Sequence, residues 1–159
     1  MSEMNHFDSH GNAVMVDVSE KQITLREAVA QGSISVSSHV ISTIQDGRLS
    51  KGDVLGVARI AGIMAAKRTG ELIPLCHPIL LTKCSIDFQI NNAEHEIIVT
   101  CLVRSDGQTG VEMEALTGVS TALLTIYDMC KSIDKGMVIQ KIHLVRKSGG
   151  RSGDYFFEG

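Results

Sequence analysis

Asp128 and Lys131 stand three residues apart in the run Tyr127-Asp128-Met129-Cys130-Lys131. On a helix that spacing lets the two charged ends meet. On an open surface such a pair is worth only about 0.2–0.5 kcal/mol. In a dry pocket the same two groups become an acid and a base, with burial and neighbouring charge deciding which holds the proton. General acid–base catalysis of this kind contributes about 100- to 10,000-fold. The pair ends a longer polar stripe, Glu114, Thr117, Thr121, Thr125, Asp128 and Lys131, spaced by three or four residues. A solvated face is the ordinary meaning of such a stripe. This one is mostly threonine, which suits a half-buried surface against a partner or a ligand. Glu112 and Glu114 fall in the first turn of the same helix, where complementing the helix dipole is sufficient reason for an acid.

A second group lies in Leu72-Ile73-Pro74-Leu75-Cys76-His77-Pro78, which holds both prolines of the chain. Each proline biases its predecessor, Ile73 or His77, toward extended geometry. The segment is either a rigid pocket wall presenting Leu75, Cys76 and His77 or a stiff linker. Lys51, Lys67 and Arg68 flank one predicted helix. Lys147-Ser148-Gly149-Gly150-Arg151-Ser152-Gly153 combines cations, hydroxyls and bare backbone that could approach an anion. A loose terminus is the competing reading of that segment. Neither a P-loop nor a dinucleotide-binding glycine pattern occurs. The six histidines and four cysteines show no metal-ligand spacing, so no metal site is expected.

At 159 residues, 43% hydrophobic and 21% charged, the chain suits a single globular domain, residues 1–159, with loose ends at about 1–12 and 148–159. A net charge of -3, without a basic stripe, argues against a general nucleic-acid binder. No apolar run is long enough to span a membrane. The unpaired spacing of Cys76, Cys84, Cys101 and Cys130, with no export signal, points to a reducing, cytoplasmic setting.

The elements that must position these groups follow from periodicity. Met15 to Val18 reads as a short extended segment, and most of Ile23–Val36 reads as a strand. Ser37–Gln45 reads as a helix ended by Gly47. Ser50 to Asp53 matches a capping box that opens a second helix, ending near residues 67–70. Lys83–Ile90 alternates with period two, as only a strand in a sheet with one wet face requires. Ile97–Val103 returns as its partner after a turn at Asn91-Asn92-Ala93. A loop follows at Ser105–Gly110, then a long helix from Val111 to about Ile133, then a strand from Met137 to Val145. This order predicts an α+β fold of the ferredoxin-like plan, a four-stranded antiparallel sheet with helices on one face.

Several stretches together resemble one family, the cyclic pyranopterin monophosphate synthases or MoaC family of molybdenum-cofactor biosynthesis. They include Met15-Val16-Asp17-Val18-Ser19, Lys51-Gly52-Asp53-Val54, Ala58 to Ile63, Ala66 to Thr69 and Leu72 to Pro78. They continue through Thr109 to Thr117, Leu124 to Lys131 and Lys147 to Gly150. The resemblance spans nearly the whole chain. Gln108 and Arg151 depart from it, standing where lysine is common; Arg151 keeps the charge and Gln108 does not.

The resemblance implies conversion of a cyclic 7,8-dihydroguanosine triphosphate into cyclic pyranopterin monophosphate, with release of diphosphate. It also implies a homohexamer built as a trimer of dimers, with sites between subunits. Asp128 and Lys131 become the catalytic pair. Leu75, Cys76, His77, Met113 and Glu114 become substrate contacts, with Glu112 beside them. Lys51, Lys67 and Lys147 become candidates for phosphate contact or acid–base work. No resident cofactor is implied, and Mg²⁺ could ride with the triphosphate. The competing function is a non-catalytic nucleotide-sensing module on the same fold. RNA binding is disfavoured by the few aromatics.

Overall fold

The computed structural model describes residues 6–50 and 52–159, so the expectation for Lys51 lies outside the described residues. The first long strand, β1, spans Thr24–Ser35. It is covered on both faces: Ala28, Ala30 and Ile34 are fully buried, and Val29 and Ser33 on the other face are nearly so. A central strand of that kind loses the clean alternation of a half-wet one, which is why residues 23–36 are ambiguous from sequence.

Helix α1 spans Ser38–Gln45 and is capped by Ser37, whose hydroxyl accepts from the Val40 amide. Helix α2 spans Val54–Lys67. Its cap is Asp53, which accepts from the Gly56 amide at 3.0 Å. The carboxylate at the fourth position of the expected capping box is therefore the cap itself. A one-turn helix, α3 (Thr69–Leu72), follows α2 directly. Strands β2 (Lys83–Asn91) and β3 (Glu96–Gly107) form the expected hairpin. Strand β3 extends through Gly107 and absorbs the start of the expected loop. Helix α4 spans Glu112–Cys130, and β4 spans Val138–Ser148.

The sheet has five strands, not four, in the order β2-β3-β1-β4-β5, and every pairing is antiparallel. The extra strand β5, Tyr155–Phe156, pairs with Arg146 and Lys147 on the edge of β4. The glycines before it let the chain reverse: Gly149, Gly150 and Gly153 all have positive φ, which glycine adopts without steric cost.

Both long helices lie on one face. Gly62 of α2 sits over Ile86 of β2 and against the Gly118 carbonyl of α4. Gly118 sits over Cys101 of β3, and Gly32 of β1 lies under Val119 and Leu123 of α4. Gly62 also lies near Ala122, and Gly118 near Ala66, so α2 runs antiparallel to α4. The C-terminal turn of α2 therefore lies beside the N-terminal turn of α4.

Candidate active site

The N-terminal end of α4 is the meeting point of most of the predicted site residues. An open cleft of about 750 Å³ on one side is lined by Glu112, Lys147, Lys21, Arg26, Arg151 and Ser152, among others. Lys147 reaches it because it pairs with Ala28 and so points to the helix-bearing face of the sheet. Its ammonium is held by the Ser152 hydroxyl. Gln108 gives this cleft no charge. Its side-chain amide instead donates to the Lys21 carbonyl at 3.0 Å and the Ser19 carbonyl at 3.4 Å, tying the segment before β1 to the loop before α4. The cations of the cleft are supplied by neighbouring elements.

On the other side of the same helix end, Glu114 faces a smaller cleft of about 390 Å³ shared with Lys67, Arg68 and Pro78. Glu114 is only 3% exposed. Burial pushes its pKa up to about 7; its own backbone amide opposes the shift and the Glu112 charge adds to it. A carboxyl poised there can hold or release a proton near neutral pH. Cys76 lies close enough to share this environment, its thiol pushed up by burial first and by the Glu114 charge second. His77 places its ring Nε2 2.6 Å from the Val16 carbonyl. A carbonyl only accepts, so that nitrogen carries a proton. The bond pins the Pro74–Pro78 wall to the chain before β1. Leu75 is half-buried in that wall, and Met113 is exposed at the helix start.

Asp128 and Lys131 do meet, at 2.7 Å, with side chains 63% and 50% exposed. The hydrogen bond to Asp128 raises the Lys131 pKa, helped by the carboxylate's charge. The pair thus holds its protons as an ion pair, Lys131 charged. It does not meet the other site residues. Glu114 and Asp128 are fourteen residues apart on one unbroken helix, about 21 Å along its axis. One chain therefore separates the candidate residues into two groups. Lys67, Cys76, His77, Glu112, Met113, Glu114 and Lys147 gather at one end of α4, and Asp128 and Lys131 stand at the other.

Lys21 and Arg26 are cleft residues that periodicity and motifs passed over. Arg26 had a usable signal, a charge on the inward register of a buried strand with Ala28 and Ala30. Lys21 had none. Among the described residues, no group of three or more histidine, cysteine, aspartate or glutamate side chains is arranged to hold a metal ion. No helix among them is long and apolar enough to cross a membrane.

The MoaC family model matches residues 15–150. A protein of Clostridium botulinum named cyclic pyranopterin monophosphate synthase is 59% identical over 157 residues, 99% of each chain. Proteins of the same name from Clostridium perfringens and Chloroflexus aurantiacus are 58% and 56% identical, covering 98% and 97% of this chain and 99% and 94% of their own.

Proposed function

The chain belongs to the MoaC family, and on that premise we propose that it performs the cyclic pyranopterin monophosphate synthesis for which its relatives are named. It is a lyase of molybdenum-cofactor biosynthesis, converting 3',8-cyclo-7,8-dihydro-GTP to the cyclic pyranopterin monophosphate with release of diphosphate. The observation that carries this reading is identity above one half over nearly the full length of both chains.

The chemistry assigns work to each half-site. A cyclic monophosphate forms from a triphosphate when a hydroxyl of the substrate attacks the α-phosphorus and the bond to the β-phosphate breaks. Diphosphate leaves with the negative charge, and cations held nearby stabilise that departure. Lys147, Lys67 and Lys51 are the candidates, with Lys21 and Arg151 lining the same cleft as Lys147. Rearranging the purine-derived rings needs protons moved, and Lys131, oriented by Asp128, and Glu114 are the groups suited to it. Leu75, Cys76, His77, Glu112 and Met113 form the walls. The reading asks for no resident cofactor; Mg²⁺ would arrive on the triphosphate.

The two half-sites form one site when two subunits place their α4 helices antiparallel across a two-fold axis, so that each donates Asp128 and Lys131 to the other's Glu114 end. Two features support this. The threonine stripe between the ends is half-buried, and Leu124 beside it is 59% exposed. On α2, Val57, Ile60 and Met64 form an exposed apolar row at helical spacing, the kind of surface that a partner covers. The assembly proposed is a hexamer as a trimer of dimers, in the cytoplasm. Its subunit is ferredoxin-like: β1, β2, β3 and β4, with their two helical crossovers, run in the spatial order β2-β3-β1-β4, which supports that plan.

Diphosphate release from the cyclised substrate in single-turnover kinetics tests the reading. The purified chain should release diphosphate, and Lys131→Ala should lose at least about 100-fold. Tight binding of the substrate with no release would support the nucleotide-sensing alternative and overturn the enzyme.

A further inference from the structure

Arg26 is 8% exposed, yet among the described residues it forms no ion pair within 4.0 Å. A buried cation without a carboxylate is costly unless its donors are used. They are used on backbone. Nε donates to the Gly107 carbonyl at 3.2 Å and Nη2 to the Gln108 carbonyl at 3.1 Å. The remaining nitrogen, Nη1, faces the turn after β4. There a Cβ added to Gly150 would overlap the guanidinium, and one added to Gly149 would overlap the Leu25 carbonyl. Both glycines also have positive φ, 93° and 81°, so space and backbone conformation alike exclude a side chain.

One side chain thus touches both walls of the larger cleft. The Gly107-Gln108 wall leads into Thr109, Gly110 and Glu112. The Gly149-Gly150 wall is flanked by Lys147 and Arg151. We propose that Arg26 is a positioning residue that pins these two walls together, so that the cations after β4 face the start of α4 at the spacing an anionic group requires. The proposal rests on the diphosphate-releasing reading above. A guanidinium is suited to this because its planar fork serves two carbonyls and a third surface at once. A lysine has one charged nitrogen and cannot span them.

The test uses the full chain with Arg26→Lys and, from the opposite side of the same contact, Gly150→Ala. KM, kcat and thermal midpoint are measured, and inorganic diphosphate binding is followed by calorimetry. Arg26→Lys should raise KM and weaken diphosphate binding by about tenfold or more, the scale of a charge-assisted contact, with a much smaller change in kcat. Gly150→Ala should do the same. In Arg26→Ala, added millimolar guanidinium should recover binding where ammonium does not. An Arg26→Lys protein with parental KM and diphosphate affinity would overturn the proposal. So would a loss confined to the thermal midpoint. If the parent chain binds diphosphate but never releases it from substrate, the enzymatic reading fails while the calorimetry still tests Arg26.

Discussion

Lys131→Ala and Lys67→Ala, each expected to abolish turnover on its own, should restore each other when combined. Lys131→Ala removes a group at the C-terminal end of α4, and Lys67→Ala removes one beside its N-terminal end. Both side chains belong to exposed residues, so neither change disturbs the core. Glu114, beside Lys67 in the smaller cleft, is about 21 Å along α4 from Asp128. No hinge can close that gap, because both residues ride on the same rigid helix. If both ends act on one substrate, as proposed, they come from different subunits. In a two-fold dimer each subunit contributes to both sites in the same way. Mixing equal amounts by co-expression gives mixed dimers in about half of the population. Each mixed dimer has one site with both substitutions and one with neither, so about one quarter of all sites are intact. Diphosphate release at limiting substrate should therefore recover to roughly a quarter of the parent rate, far above either variant alone. A mixture no faster than the mean of its two components would refute the shared site. The pair would then be a surface ion bridge of little consequence.

Glu114 makes stability depend on pH, with a sign opposite to that of most carboxylates. Its ordinary value is 4.5 and its folded value is about 7. Below the lower value both states carry a neutral acid and nothing is lost. As pH rises from there through the folded value, the unfolded chain ionises freely while the folded one resists, and stability falls by an amount of order 3 kcal/mol. Thermal melts of Glu114→Gln should therefore gain on the parent between about pH 5 and pH 8. A constant difference across that range would show that the carboxyl is not held neutral. Gly62→Ala should destabilise, although alanine favours helix by about 1 kcal/mol. Its Cβ would come within 2.8 Å of the Gly118 carbonyl and overlap Ile86, and overpacking costs about 1–3 kcal/mol. The thermal midpoint should drop; an unchanged or higher midpoint would mean that α2 slides away from α4 without cost.

The hairpin of β2 and β3 was legible because one face is wet and the period of two survives. The helix over residues 112–130 was legible because its buried residues recur at helical spacing. β1 was legible only in outline, since burial on both faces erases alternation. β5 was not legible. Two residues in a glycine-rich terminus carry no periodic signal, and only the presence of the β4 edge makes them a strand. Arg26 shows another limit. Its carbonyl partners, Gly107 and Gln108, lie 81 and 82 residues away in the chain, and no local pattern encodes that reach.

The stripe on α4 is where the sequence pointed to a partner or a ligand, and the helix adds the axial distances that spacing leaves out. Spacing by three and four says which residues share a face of a helix. It says nothing of how far apart they stand along the axis. Glu114 and Asp128 do fall on the same stripe of α4. A rise of about 1.5 Å per residue sets them about 21 Å apart along one chain. The proposed shared site would bring the two ends together from different subunits. A helix that carries different functional groups at its two ends, with threonines between, becomes complete twice over when a second copy lies antiparallel against it. The half-burial of Thr117, Thr121 and Thr125 fits such a seam. Thr125 already spends its hydroxyl on the Thr121 carbonyl at 2.8 Å, which leaves its methyl to pack against whatever covers it. A surface of that chemistry tolerates burial without requiring a polar partner, and a face meant only for water has no need of that property.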